Sequence, residues 1–297
     1  KRDWSSDVCS SDLSSSGPNS FGKKLMIALS ELGHEASCDV INPDIQLSFI
    51  STSQKKAKLA LRLDGIYFNN QQDWRRLNEP IKNSFSVADI AIFQSNFNKI
   101  LTEKYFGIKN NVVINNGACL KTIEEIPALK NQTLDNFDEI WCCSSSWRPH
   151  KRLKDNIGYF LENAPERACM VVAGENPDFR ITHPRVFFAG QLPWETCISL
   201  YKRSKYFVHL AFLDHCPNVV VDARAAGCNL VVASSGGTKE IAGINATIIE
   251  DLEWDYQPLE LYSPPSLDYS KTYKNNIQSN IDIKNVAERY VKALEKL

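Results

Sequence analysis

The stretch "FVHLAFLDHCPNVVVDARAAGCNLVVASSGGTKEIAG", residues 207–243, decides the fold. An apolar strand, "YFVHLAF", runs into Asp214, and Pro217 suits the first helical position, where a missing N–H costs nothing. Val219, Val220, Ala223 and Ala226 recur at helical spacing as a core-facing stripe, with Asp222 at its edge in the second turn and Gly227 closing the helix. A second strand, "NLVVAS", hands over to Ser235, Gly236, Gly237 and Thr238 at the start of another helix. Strands alternating with helices in this way imply right-handed crossovers and a mainly parallel sheet. Ligands of such sheets lie outside the carboxyl ends of the strands. Asp214, Asp222 and the glycine loop are therefore expected at one cleft.

The alternation extends upstream through "EIWCCSSS", a helix near 151–163, "ACMVVAGE", "RVFFAGQ" and a helix near 194–203. An earlier series precedes the linker "LKTIEEIPALKNQTLDNFD". It comprises an amphipathic helix "SFGKKLMIALSELGHE", with Phe21, Leu25, Ile27, Ala28, Leu29 and Leu32 along one side and Gly33 closing it. The strand "KLALRLDGIYF" follows, broken at Asp64-Gly65, then "ADIAIFQS", the helix "NFNKILTEKYFG" and "NVVINNG". Two such series imply two facing Rossmann-like domains, residues 14–130 and 131–275. The last segment, 276–297, reads as a helix crossing back to the first domain. The Pro-, Ser- and Asn-rich stretch before it reads as a crossing linker.

Residues 1–13 are set apart. The string "DWSSDVCSSDL" resembles the in-frame translation of a sequencing-adapter oligonucleotide and has no apolar core of a signal peptide. It is expected to be non-native, leaving the first domain without its first strand. Composition narrows the rest. The apolar runs are far shorter than the roughly 18 residues of a spanning helix, so no transmembrane segment is expected and membrane contact, if any, is peripheral. A net charge of −1 without long Lys/Arg runs argues against nucleic acid. Nine cysteines include no C-x-x-C pair, which fits buried free thiols in a reducing, cytoplasmic setting.

The chemistry follows from convergence. The strand "WCCSSS" delivers Arg148 and Lys151, in "WRPHKRL", to the same sheet edge as Asp214. Arginine can grip a phosphate bidentately and lysine can act as a point charge. Gly236 and Gly237 let backbone amides approach an anion closely. Two cations, an amide nest and two carboxylates suit a diphosphate flanked by polyols, which describes a nucleotide sugar.

With these residues in view, the chain resembles the GT-B fold, retaining glycosyltransferases of family 4. The resemblance rests on an acid-x7-acid motif (Asp214, Asp222), the following "GG-x-x-E" (Gly236 to Glu240), the upstream Arg/Lys pair, and "GPNSFGKKL" with Gly17 as a glycine-rich loop. It implies Asp214 on the donor sugar's hydroxyls, Asp222 on the ribose, Arg148 and Lys151 on the diphosphate, and Gly236, Gly237 and Thr238 on phosphate and sugar. It further implies transfer of a sugar with retention of configuration to a carbohydrate, lipid or small-molecule acceptor, as in polysaccharide biosynthesis, without a metal. The family more often carries Glu at both acid positions, and the Arg-to-Lys spacing here is short. Where many members present a His, this chain has "RLDG", so Arg62 or Asp64 is expected to face the sugar, Asp64 with a catalytic role. Tyr67, Trp74 and Arg75 are acceptor-side candidates.

Plainer readings stand beside these. Asp214 can simply start a helix, Asp222 can be a surface carboxylate, and Arg148 and Lys151 can be solvated charges. His150, His183, His209 and His215 read as structural or surface residues, and "DLEWD" at 251–255 as a solvated acidic turn rather than a metal site. "GPNSFGKK" also mimics a phosphate-binding P-loop, although Lys24 stands where Ser or Thr should bind Mg²⁺. A non-catalytic or truncated nucleotide-sugar binder is the remaining alternative.

Overall fold

The computed structural model describes residues 3–6, 17–37 and 43–297. The first half contributes β1 (Asp3–Ser6), α1 (Gly17–Glu31), β2 (Glu35–Ser37), β3 (Ile45–Phe49), β4 (Lys58–Leu63), α2 (Trp74–Val87), β5 (Ile90–Phe93), α3 (Asn96–Phe106) and β6 (Asn111–Val113). After α4 (Leu120–Glu125) come β7 (Glu139–Ser144), α5 (Leu153–Asn163), β8 (Ala168–Ala173), β9 (Val186–Gly190), α6 (Trp194–Arg203), β10 (Tyr206–His209), α7 (Asn218–Ala225) and β11 (Asn229–Ala233). The chain ends with α8 (Thr238–Ala242), β12 (Thr247–Ile249), β13 (Thr272–Lys274) and α9 (Ile283–Leu294). Strands assemble into two sheets, β2-β1-β3-β4-β5-β6 and β13-β12-β11-β10-β7-β8-β9. Among the described residues, every pairing between these strands is parallel except β12 with β13.

The second sheet reverses direction between β7 and β10. From β7 the chain moves outward through β8 and β9, then returns to place β10 on the other side of β7. The loops after these two strands splay apart at such a switch point and leave a crevice between them. Lys151 follows β7 and Asp214 follows β10, so topology alone brings them together.

Each sheet is covered on both faces, which is why its strands read as nearly continuous apolar runs. In the first sheet, Phe21, Leu25 and Leu29 of α1 pack with Val286, Ala287 and Tyr290 of α9 on one side. Ile81 and Phe85 of α2 pack with Phe97 and Leu101 of α3 on the other. In the second, α6, α7 and α8 cover one face through Ile198, Tyr201, Val220, Val221 and Ile241. The other face carries Leu153, Ile157 and Phe160 of α5. Ends are capped as the sequence suggests. Gly227 at φ 96° and Cys228 bond back to the carbonyls of Arg224 and Ala223, a Schellman stop for α7.

Several expectations are corrected. A strand does fill the position expected to be missing: Asp3–Ser6 pairs with β2 and β3. Strand pairing uses backbone groups that every residue carries, so a short extended segment can complete a sheet regardless of its side chains. The remainder of the adapter-like stretch, 1–2 and 7–13, lies outside the described residues. Pro217 caps α7 rather than opening it, with ψ 123°. The α7 stripe is rotated, since Val221 and Asp222 are buried whereas Val219 and Ala226 are only partly so. Ile27 of α1 is 63% exposed, facing away from Phe21 and Leu25. Residues 17–24 lie wholly within helix α1, so they form no phosphate-cradling loop and the P-loop reading fails.

The stretch after β12 is more than a linker. Residues 252–262 return to the first half, where Leu259 bridges to Asn69 and the Tyr105 hydroxyl donates to the Tyr256 carbonyl at 2.8 Å. The Trp254 ring packs at a tilt against Phe68 and Phe97, with ring centroids 4.7 and 5.9 Å apart. Asp251 is no solvated acid: it is buried against Arg152 at 2.7 Å and accepts from Ser235 Oγ at 2.5 Å. No described helix is long and apolar enough to cross a membrane.

Candidate active site

Asp214 is the hub of the switch-point crevice. Its Oδ2 meets Lys151 Nζ at 2.5 Å and His209 Nε2 at 3.0 Å, while Oδ1 accepts the His215 amide at 2.9 Å. Burial alone would raise the Asp214 pKa, but Lys151 and His209 outweigh it and hold the carboxyl well below the usual range. Asp214 is therefore ionised throughout the physiological range. The same burial lowers the pKa of His209 despite the adjacent carboxylate. The Asp214 carbonyl in turn accepts the Gly237 amide at 2.8 Å. Gly236, at φ 75°, lies under the Asp214 backbone, and Gly237 lies against the His215 carbonyl and Ser95. A methyl group at either position would collide with main chain, so this close approach requires glycine. Thr238 is buried beside them, its Oγ1 without a hydrogen-bond partner among the described residues.

Asp222, one helical segment later, faces a different space. Its Oδ1 pairs with Lys24 Nζ of α1 at 2.8 Å, and its Oδ2 accepts from Trp194 Nε1 at 2.9 Å. These groups line a cavity of about 1050 Å³ between α1 and the second sheet, together with Ser144, Ser145, Gly174, Glu175 and Gln191 at the ends of β7, β8 and β9. A volume of this size accommodates a ligand larger than a monosaccharide.

The first half supplies a third cluster. Arg62, fully buried on β4, is sandwiched between Phe21 and Phe49 with ring centroids 4.3 and 4.9 Å away. Its guanidinium pairs with Asp64 and donates to Asn116 Oδ1 at 2.6 Å. Asn116 reaches across the halves, donating to the Cys216 carbonyl and to Asn218 Oδ1, each at 2.9 Å. Asn218 donates to the Gly17 carbonyl at 2.9 Å. Burial raises the Asp64 pKa, with Arg62 opposing it in part, and Asp64 Oδ2 is buried without a hydrogen-bond partner among the described residues. The His215 ring fills the notch that Gly65 leaves open, between Phe68 and Phe97. Burial pushes its pKa down to about 4.

Residues 138–255 match the family model for glycosyl transferases group 1. No curated protein sequence matches the chain. Among solved structures, sucrose-phosphate synthase from Thermosynechococcus elongatus superposes with a TM-score of 0.68 at 11% identity, over 95% of this chain and 93% of that one. Anabaena HepE in complex with UDP-glucose gives 0.60 at 14% identity, over 93% and 82%. A trehalose-6-phosphate synthase described for glycosyl transfer with retention gives 0.58 at 11%, over 98% and 82%. The chain has the GT-B fold, an α/β architecture of two mainly parallel sheets.

The matched segment begins at β7 and contains Arg148, Lys151, Asp214, Asp222 and the glycine loop. Structure joins Lys151 to Asp214 and the loop, but sets Asp222 apart with partners of its own. Arg148 is exposed on the loop after β7 and does not line the cavity. Glu240 does not point into the crevice: it accepts the amides of Asn96 and Phe97 at 2.8 and 3.1 Å, capping α3 of the first half. Arg62 cannot face an acceptor, because it is enclosed and serves to orient Asp64. Tyr67 is 45% exposed at the rim of the first half, whereas Trp74 and Arg75 begin α2. His209 and His215, read as structural or surface, touch the centre of the site. Lys24, Trp194, Asn116 and Asn218 were not singled out for it. Their partners lie from 28 to 201 residues away in the chain, so no local pattern marks them.

Proposed function

We propose that the chain is a retaining glycosyltransferase that takes a nucleoside-diphosphate sugar as donor. The carrying observation is the Lys151–Asp214 pair at the switch point, backed by the close-packed glycine loop, with Asp222 on the wall of the cavity between α1 and the second sheet. In this reading Asp222 takes the ribose hydroxyls and Asp214 the donor sugar's hydroxyls. Lys151, the exposed Arg148 and the loop amides other than that of Gly237, which is bonded to the Asp214 carbonyl, stabilise the negative charge that builds on the diphosphate as its bond to the sugar breaks. These fixed cations perform the task a divalent ion would otherwise perform. His150, His209 and His215 have pKa values lowered by burial, to about 3 for His150 and about 4 for His215, so they stay neutral near pH 7 and add no competing positive charge.

Asp64, its charge partly neutralised by Arg62 and its side chain 16% exposed, is the proposed first-half contact to the reacting sugar or acceptor. Tyr67 lies on the acceptor side. The acceptor is a carbohydrate, lipid or small molecule, and the setting cytoplasmic. Incubating the protein with UDP-, GDP- and ADP-glucose and with GDP-mannose in EDTA should release the nucleoside diphosphate from one donor, slowly by transfer to water. With an acceptor, the anomeric NMR signal of the product should match that of the donor. No release from any donor would sink the proposal, and an inverted product would remove retention from it.

A further inference from the structure

The ion pair between Lys24 and Asp222 has a use that neither partner reveals alone. It spans the two halves, joining the third turn of α1 to the second turn of α7 at 2.8 Å, and both side chains are shielded, at 14% and 7% exposed. Lys24 Nζ also lies 5.5 Å from the centre of the Trp194 ring. The indole Nε1 donates to the other oxygen of Asp222. One ammonium group thus occupies a carboxylate and an aromatic face at once, on the wall of the large cavity. A nucleoside presents complementary chemistry to the same two groups: a diol for the carboxylate and a flat base for the indole.

Resting on the donor reading given above, we propose that Lys24 is a donor-exchanged latch. The nucleoside displaces it from Asp222 and Trp194, and the freed ammonium turns to the diphosphate on the neighbouring side of the ribose. Two facts support the second step. An ammonium expelled from its carboxylate inside a shielded cavity needs a new anion, since leaving it unpaired there is costly. The diphosphate is the nearest anion that the ligand itself brings. The exchange also moves a contact of the first half from protein to ligand, so the donor takes over part of the bonding between the halves. Trp194 is then the platform for the base.

The test is isothermal titration of UDP, GDP and ADP, and of uridine, guanosine and adenosine, into the full chain and its Lys24→Met and Lys24→Arg variants. Lys24→Met should weaken the preferred nucleoside diphosphate about tenfold, the scale of one lost charge-assisted bond. The matching nucleoside should bind as well or better, because nothing has to be displaced. Lys24→Arg should keep the diphosphate within about threefold of the unaltered chain. Equal weakening of nucleoside and diphosphate, or no change in either, overturns the latch while leaving the donor reading intact. Failure of every nucleoside diphosphate to bind the unaltered chain overturns both. Should Lys24→Met fail to fold, Lys24→Gln, which keeps a polar head against Asp222, reads the same ratio.

Discussion

Asp214 and Asp222 sit eight positions apart on one stretch of chain and live in opposite ways. Asp214 is locked by groups of its own half: Lys151 and His209 on one oxygen, the His215 amide on the other, and the Gly237 amide on its carbonyl. Asp222 is held by one cation from the other half and one indole, both at the edge of an open cavity. The first arrangement is preorganised and resists change. The second is a set of contacts that a ligand can replace. In the reading proposed above, Asp222 belongs to donor binding, and Asp214, by holding Lys151, belongs to the preorganised reacting end.

Disturbing the locked carboxylate should have the largest consequence. Lys151→Met or Asp214→Ala should lower donor turnover by roughly 10²- to 10³-fold, the usual cost of removing a preorganised electrostatic group. Steady-state rates at saturating donor check this. A loss below tenfold would place the pair outside the chemistry.

Acid should attack the same region next. His215, with a folded pKa of about 4, and His150, at about 3, both lie below the ordinary histidine value of 6.5. Between pH 6.5 and 4 the unfolded chain binds protons that the folded one refuses, so stability is fully present above pH 6.5 and is lost as pH falls through that window. Asp214 works in the same direction only lower, since its depressed pKa contributes stability above the ordinary carboxylate range. The thermal midpoint should drop between pH 7 and 5, and His215→Asn should flatten that slope, His215 alone accounting for at most about 3 kcal/mol. A midpoint flat with pH would contradict the buried neutral histidines.

A smaller effect is expected from the exchangeable side. Asp222→Ala should weaken nucleoside and nucleoside diphosphate alike by about tenfold, the worth of one or two hydrogen bonds to a charged group. Turnover at saturating donor should change little. Smallest of all, Glu240→Gln removes the charge capping α3 from across the halves and should cost about 1 kcal/mol in denaturant unfolding, with no change in nucleotide affinity. Lost affinity there would return Glu240 to the donor site.

Much of the second half was legible because its signals are local. The helix at 194–203 lies where the alternation of strands and helices places it, and that at 238–242 lies between Gly237 and Gly243. The first half was harder. "IQLSF", the strand β3, is only five residues long, with two buried polar side chains, Gln46 and Ser48, that break an apolar reading. Helix α2 carries Pro80 in its interior, a local signal against a helix, yet Ile81 and Phe85 anchor it to the sheet and override the local penalty. Asp251 was misread because its partner, Arg152, is 99 residues away. At the site, the acid pair and the glycine loop could be read from spacing. Which carboxylate would be locked and which exchangeable could not, because Lys24 and Trp194 reach Asp222 only through tertiary structure.

Comparing Asp214→Ala and Asp222→Ala in two readouts, nucleoside-diphosphate affinity by titration and donor cleavage at saturation, tests the proposed division between an exchangeable carboxylate that binds the ribose and a locked one that holds Lys151 at the reacting end. The account predicts a crossed result. Asp222→Ala should lose affinity and keep most of its cleavage rate, whereas Asp214→Ala should keep affinity and lose cleavage. Two variants that lose both properties in equal proportion, or neither, would contradict it.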